Sequence, residues 1–286
     1  MPSPRIIATY TIGNSDTDDA KRRVGWQLDI LRWRGFVDRH IANVLRDGYA
    51  GIELHNPFGV LSTEEMLASQ AVDARRAGLW WLIADFAEAW KPVVQAGVEV
   101  IAYPGSLKLD AKLKTMAVHG GPPFRDYLMN CYQPCVAAGC SLGFDTHHQL
   151  PKACWEHVAL RRMMTWVQGI NPKARGYIEP WPHISDADWF LESNGIMGQL
   201  NIWIASHNNL IAREEQDLPR NADVLWPIPD NREVVVHLTR HPTIDTPVPF
   251  ASWGPAFIRK QLDMGRSVAV APQDLKAVGM TPRDFV

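Results

Sequence analysis

Apolar residues recur along the chain in short blocks, which are separated by longer segments with helical spacing. Eight of the blocks span five to eight residues and are rich in valine, isoleucine, leucine or aromatic residues. Such blocks are typical of buried β-strands. The predicted strands are Arg5–Ile12, Ala50–His55, Val98–Tyr103, Cys140–Asp145, Arg175–Glu179, Met197–Ile204, Glu233–Leu238 and Ser267–Ala271.

The segments between the strands predict helices, because their apolar residues return every three or four positions. A short helix is also expected from Ser185 through Leu191, with Ser185 as its cap. Gly139 and Gly169 stand where two helices are expected to stop. The other predicted helices are His40–Arg46, Thr63–Arg76, Trp80–Gln95, Phe124–Ala138, Trp155–Gly169 and Pro255–Met264.

This alternation predicts an α/β fold, a single (β/α)8 or TIM barrel over residues 1–286, since eight strands and about 250 residues are usual for that barrel. An open doubly wound sheet is the alternative. Residues 11–15 (TIGNS) follow the first strand and do not match the GxGxxG loop of nucleotide-binding sheets. The short connection after Glu179 and the loop-like segment 208–231 fit a barrel least well.

Composition narrows the class of protein. Hydrophobic residues make up 46% of the chain and charged residues 21%, which predicts a folded domain with a sizeable core. The net charge of -2 argues against a general nucleic-acid binder. The chain contains no run of about 18 consecutive apolar residues, so the sequence predicts no membrane span. The opening residues, MPSPR, lack the apolar core of a signal peptide, so we expect a protein that is not exported by the general route.

The four cysteines do not have the close pairing that a zinc site requires. We expect Cys131, Cys135, Cys140 and Cys154 to be small buried residues in a reducing compartment. The twelve tryptophans are a surplus, and a surplus of flat side chains suits a cleft that stacks against sugar rings.

Polar residues interrupt several strands near their carboxyl ends, which in a barrel face one shared mouth. Glu53 and His55 alternate in phase at the end of strand two, so they are expected on one face. Strands four and five end at Asp145 and Glu179, and an acid after an apolar strand is costly to bury without a function or a partner. Further candidates in or after the strands are His147, Trp181, Trp203 and His237.

Structural interpretations of the same residues stay open. Glu53 could pair with a basic group across the barrel floor, and His55 could be a hydrogen-bonded core histidine. His147 and its neighbour His148 could be surface residues of a loop. Trp181 lies between two prolines, which suits either a stiff stacking platform or a packed loop anchor.

The strand ends Gly143-Phe144-Asp145 and Tyr177-Ile178-Glu179-Pro180-Trp181 resemble the acidic strand ends of barrel-type glycoside hydrolases. The second-strand phrase, residues 47–54, is similar to one common in such barrels. The resemblance identifies no specific family. It implies that Glu179 is the general acid and Asp145 the nucleophile or base.

In this interpretation a carbohydrate is the substrate. Glu53, His55 and His147 bind its hydroxyls, Trp181 or Trp203 lines the pocket, and neither a metal nor another cofactor is needed. An apolar environment beside Trp181 would favour the proton-carrying form of the acid.

Two rival functions remain. The second-strand phrase also resembles that of xylose isomerase-like barrels, in which Glu53, Asp145, His147 and Glu179 would be metal ligands. Alternatively, the barrel is a non-catalytic binding or structural module, for example in a phage particle. We therefore expect a cytoplasmic or virion-associated protein that contacts neither nucleic acid nor membrane, with its oligomeric state open.

Overall fold

The protein is described here from a computed structural model. The structure describes residues 3–11, 33–55, 57, 80–103, 132–144, 155–178, 201–207, 233–239 and 249–285. Side chains are described for these ranges except residues 11, 80–84, 144, 155–161, 178, 202–207 and 239.

The strands form one parallel sheet in which each strand pairs with the next along the chain. The last strand, β8, also pairs with the first, β1, so the sheet closes into a barrel; Ile7 and Ala269 are register partners in that pair. The strands are β1 (Ile6–Thr11), β2 (Gly51–His55), β3 (Glu99–Tyr103), β4 (Ser141–Phe144), β5 (Gly176–Ile178), β6 (Asn201–His207), β7 (Val234–Thr239) and β8 (Ser267–Val270).

Helices lie in the connections between these strands. Among the described residues, no helix lies between β5 and β6 or between β6 and β7. A complete set of eight strand–helix units is therefore a proposal. The described helices are Trp33–Asp47, Trp80–Gln95, residues 132–138, Trp155–Ile170, Phe250–Asp263 and Pro272–Ala277, with a 3-10 turn at Pro282–Asp284. None of these helices is long and apolar enough to cross a membrane.

The parallel α/β arrangement agrees with the alternation in the sequence, and each predicted strand overlaps a described one. The first described helix begins at Trp33, seven residues before the predicted start at His40. The helix Phe250–Asp263 begins five residues before Pro255, because this proline lies inside the helix and not at its first turn. The predicted helix Thr63–Arg76 and the short helix from Ser185 lie outside the described residues.

Two layers of apolar side chains fill the described part of the fold. Outside the sheet, Trp33 and Trp90 are fully buried between helices, with ring centroids 6.2 Å apart. Inside the barrel, a separate cluster comprises Ile7, Ile101, Tyr103, Tyr177, Val235 and Ala269. Because side chains alternate along a strand, these interior residues define which positions of each strand face the barrel axis.

Gly143 and Tyr103 lie against each other in the barrel interior. A Cβ atom at Gly143 would lie 2.0 Å from the Tyr103 ring, so only glycine leaves room for that ring. Tyr132 donates a hydrogen bond of 2.6 Å to the Gly143 carbonyl from the helical side of the sheet. Gly143 therefore lines the interior, and β4 is fixed from both faces.

An ionic cluster occupies the amino-terminal end of the barrel. Arg5, Glu99, Arg175 and Glu233 stand at or just before the start of the four odd-numbered strands. Arg5 Nε lies 2.7 Å from Glu233 Oε1, Arg175 Nη1 lies 2.8 Å from Glu233 Oε2, and both arginines also pair with Glu99.

Burial alone would raise the pKa of Glu99 and of Glu233, but the charges and hydrogen bonds of the arginines outweigh it. The pKa of each carboxyl group therefore lies below its ordinary value of 4.5. These charges stabilise the end of the barrel opposite to the one where barrel enzymes place their chemistry.

The described cysteines agree with the expectation of small buried residues. Cys135 and Cys140 are buried and are not joined in a disulfide. Burial raises the pKa of the Cys140 thiol above its ordinary value. Cys131 and Cys154 lie outside the described residues.

Candidate functional site at the carboxyl end of the barrel

The structure brings Glu53 and His55 to the same face of β2, as their spacing predicts. Glu53 is fully buried and His55 is 8% exposed at the last residue of the strand. Both therefore stand toward the carboxyl end of the barrel, where barrel enzymes bind their substrates.

Glu53 is held by side chains from two other strands. Thr9 on β1 donates its hydroxyl to Glu53 Oε1 over 3.0 Å. His237 on β7 places Nε2 2.9 Å from the same carboxylate oxygen and 2.9 Å from Thr9 Oγ1. The basic group that pairs with Glu53 is thus an imidazole of the barrel interior, since Arg5 and Arg175 pair with Glu99 and Glu233 at the floor.

The contacts of His237 all run through its Nε2 atom. The Thr9 hydroxyl donates its one hydrogen to Glu53. A His237 imidazole with its N–H at Nε2 would donate toward Thr9 Oγ1 and Glu53 Oε1, which lie 2.9 Å away. These two oxygens thereby hold the orientation of the imidazole, as carboxylates do for functional histidines.

His55 lies directly against this group. Its ring stacks on that of His237 with a centroid separation of 5.2 Å and an angle of 21° between the planes. Tyr103 on β3 contributes a second ring, 5.7 Å from that of His55. Residues from β1, β2, β3 and β7 therefore meet in one buried polar cluster, which we call the Glu53 cluster: Thr9, Glu53, His55, Tyr103 and His237.

The second carboxylate oxygen, Glu53 Oε2, is the conspicuous atom of the Glu53 cluster. It is buried and has no hydrogen-bond partner in the described part of the chain. Leaving a charged oxygen buried without a donor costs about 1–3 kcal/mol or more. A hydroxyl or an amine donated by a ligand or a solvent molecule would remove that cost.

The sequence predicts further site residues that cannot be compared with the structure. Asp145, His147, Glu179 and Trp181 lie outside the described residues. Trp203 lies in β6, where the structure describes the backbone and pairs Trp203 with Val235 of β7. The catalytic assignment therefore stays a prediction.

Sequence reasoning missed two members of the Glu53 cluster, Thr9 and Tyr103, and named His237 as a candidate without giving it a role. Thr9 and Tyr103 resemble ordinary strand residues in the sequence, and His237 is an isolated histidine in an apolar strand. The alternation of side chains along a strand could have placed Thr9 and His237 in the barrel interior. Thr9 stands two residues after the interior residue Ile7, and His237 stands two residues after the interior residue Val235.

Among the described residues, no group of three or more His, Cys, Asp or Glu side chains has an arrangement that could hold a metal ion. Of the four metal ligands in the isomerase-like hypothesis, only Glu53 lies in the described part of the chain. That hypothesis is therefore left as a prediction.

No protein-family model matches the chain, and neither does any curated protein. Among solved structures, SacUVDE matches with a TM-score of 0.47 and 10% identity over 95% of this chain and 93% of that one. The β-glucanase SdGluc5_26A from Saccharophagus degradans matches with a TM-score of 0.49 and 10% identity over 92% of this chain and 77% of that one. At these values neither resemblance says what this chain acts on.

Proposed function

We propose that the chain is a glycoside hydrolase built on one (β/α)8 barrel over residues 1–286. Asp145 and Glu179 would be its carboxyl pair. The observation that carries the proposal is the register of two neighbouring strands, in which Gly143 of β4 is the partner of Tyr177 of β5.

Both register partners face the barrel interior. Tyr177 belongs to the interior cluster, and Gly143 lies against the Tyr103 ring. Asp145 and Glu179 follow these two residues by two positions each, and side chains two apart on a strand share a face. A register that continues for two residues would make Asp145 and Glu179 partners on the inner side.

Partners on neighbouring strands have their backbones about 4.8 Å apart. This spacing suits the separation of about 5–5.5 Å between the carboxyl groups of retaining glycosidases better than the 6.5–9.5 Å of inverting ones. The register therefore favours a retaining mechanism.

In that mechanism the Asp145 carboxylate attacks the anomeric carbon while the bond from that carbon to the leaving oxygen breaks. Glu179 gives its proton to the leaving oxygen in the same step. Water then attacks the anomeric carbon of the glycosyl–enzyme ester, and Glu179 takes a proton from that water. This second step releases the sugar and restores the Asp145 carboxylate.

The Glu53 cluster would form the polar base of the sugar-binding pocket at the carboxyl end of the barrel. Glu53 and His55 remain the predicted contacts to sugar hydroxyls: His55 is 8% exposed at the end of β2, and Glu53 is fully buried, with an Oε2 atom that has no hydrogen-bond partner among the described residues. His147, Trp181 and Trp203 remain the other predicted sugar contacts. Aromatic side chains there would stack on the apolar face of the ring.

The test compares wild type with Glu179→Gln and Asp145→Asn on a panel of 4-nitrophenyl glycosides. General acid catalysis is commonly worth about 10²- to 10⁴-fold, so Glu179→Gln should lose most of its turnover while its melting temperature stays near that of wild type. Glu88→Gln is the matched control, because Glu88 is an exposed carboxylate on the outer helix Trp80–Gln95.

Three results would count against this proposal. Full activity in Glu179→Gln would remove Glu179 as the acid. Turnover that is lost in EDTA and restored by Mn²⁺ or Mg²⁺ would favour the metal-dependent barrel. If wild type hydrolyses none of the glycosides, the proposal fails and the non-catalytic module becomes the better description.

A further inference from the structure

The imidazole of His55 is placed by rings from two other strands. His237 of β7 stacks on it, and Tyr103 of β3 approaches it with an angle of 39° between the planes. His237 and Tyr103 are both fully buried. The plane of the His55 ring is therefore set by neighbours that cannot move without disturbing the barrel core.

His237 is in turn anchored by hydrogen bonds. Its Nε2 atom lies 2.9 Å from both Thr9 Oγ1 and Glu53 Oε1. Turning the ring about its side-chain bond would break both contacts and would deprive the buried Nε2 atom of these two partners. The anchor is almost inaccessible to solvent, since Thr9 is 3% exposed and Glu53 is fully buried.

Exposure rises along this chain of contacts toward the carboxyl end of the barrel. Glu53 and His237 have no exposed surface, whereas His55 is 8% exposed and is the last residue of β2. His55 is thus the most exposed member of the Glu53 cluster. Tyr103 is its register partner on β3, and Thr9, Glu53 and His237 are less exposed.

We propose that His237 is a positioning residue, anchored by Thr9 and Glu53, which fixes the imidazole of His55 for a hydrogen bond to a hydroxyl of the bound sugar. The identity of the ligand rests on the proposed function above. An imidazole forms hydrogen bonds in the plane of its ring. Fixing that plane selects sugars that carry a hydroxyl in that direction, and it removes the need to order the ring on binding.

Two substitutions of His237 separate the stacked ring from the anchor. His237→Gln retains an N–H donor for Thr9 and Glu53 and removes the ring, whereas His237→Phe retains a ring and removes the donor. Each should raise KM for the best 4-nitrophenyl glycoside and lower kcat/KM by up to about 10²-fold, with a smaller change in kcat.

Thr9 tests the anchor without touching the stacked rings. Thr9→Val removes the hydroxyl at nearly constant volume and should change KM in the same direction. Thr9→Ser keeps the hydroxyl and should restore the wild-type value. Val235→Ala, two residues before His237 on the same interior face, is the control for a general loosening of β7 and should leave KM unchanged.

A second measurement does not depend on turnover. The ring C–H signals of His55 are assigned in an NMR spectrum by their loss in His55→Gln. They should shift or broaden in Thr9→Val and in both His237 variants, and should stay in place in Val235→Ala and Thr9→Ser.

The two measurements separate the two proposals. Unchanged His55 signals in folded Thr9→Val and His237→Phe would overturn the positioning role, whatever the activity. Shifted signals in a protein that hydrolyses no glycoside would support the positioning of His55 and overturn the sugar as its ligand. An equal rise of KM in Val235→Ala would also overturn the specific role of His237.

Discussion

Gly143 leaves the space that the Tyr103 ring occupies, because a Cβ atom at this position would lie 2.0 Å from a ring carbon. Neither side can yield easily, since Tyr103 is fully buried and Gly143 lies in a paired strand. This contact links β3 to β4 in the barrel interior. It also fixes the position from which the chain continues toward Asp145.

Gly143→Ala should therefore destabilise the protein by about 1–3 kcal/mol, the usual cost of overpacking a core. Urea denaturation measures the change. Gly169→Ala is the matched control, because a Cβ there meets nothing within 4 Å and alanine should stabilise this helical position by about 0.5–1 kcal/mol. Adding Tyr103→Leu should recover part of the Gly143→Ala loss, and no recovery would contradict the steric explanation.

The ionic cluster at the amino-terminal end predicts a dependence of stability on pH. The pKa values of Glu99 and Glu233 are lowered in the folded protein, so their contribution is complete above the ordinary pKa of 4.5 and is lost as the pH falls below it. The urea midpoint should therefore fall steeply between about pH 5 and pH 3.

Glu233→Gln should destabilise the protein by about 3–5 kcal/mol at pH 7, because it removes the buried carboxylate that pairs with both Arg5 and Arg175. The acid-dependent part of the stability should shrink in the same variant. Glu88→Gln, on the exposed face of an outer helix, should change the midpoint little at any pH. An equal pH dependence in wild type and Glu233→Gln would remove the cluster as its cause.

The contact between Glu53 and His237 predicts coupled effects on stability. In a double-mutant cycle, Glu53→Gln and His237→Phe should interact by about 0.5–3 kcal/mol, because the first removes the charge and the second removes the imidazole of the same buried contact. Glu53→Gln and Glu233→Gln share no hydrogen-bond partner among the described contacts. They should add within about 0.5 kcal/mol. Additivity in both cycles would mean that the two side chains do not act together.

The buried thiols offer a test of local opening. Burial raises the pKa of Cys140, so little thiolate forms there and the folded barrel shields it. In a variant with Cys131 and Cys154 replaced by serine, Cys135 and Cys140 should react with a thiol reagent only as fast as the protein unfolds. The measurement is the labelling rate as a function of urea. Rapid labelling in native buffer would show that this side of the sheet opens without global unfolding.

The sequence predicted the strands well, because parallel strands that are covered on both faces appear as short continuous apolar blocks. The predicted ends of the strands were less accurate. The predicted end of β6 was Ile204, whereas the strand continues to His207 in register with Thr239 of β7. Ala205, Ser206 and His207 are weak strand formers, and their strand conformation comes from pairing with β7 and not from local preference.

The candidate site was predictable only in part. Glu53 and His55 were found because they interrupt a strand in phase. The partnership of Glu53 with His237 joins residues that are 184 positions apart and depends on how the barrel closes. No local pattern contains that information. The same limit applies to Arg5 and Glu233, whose charges look like ordinary surface charges until the strand starts are brought together.

The pairing of β1 with β8 has a consequence for how the chain acquires its structure during synthesis. Arg5 reaches Ser267 through its backbone N–H over 3.2 Å, across 262 positions of sequence. The first strand leaves the ribosome early, yet one of its two edges stays unpaired until the last strand has been made. Synthesis at about 5–20 residues per second leaves that edge exposed for many seconds, which makes it the surface where a chaperone would act or where two nascent chains would associate.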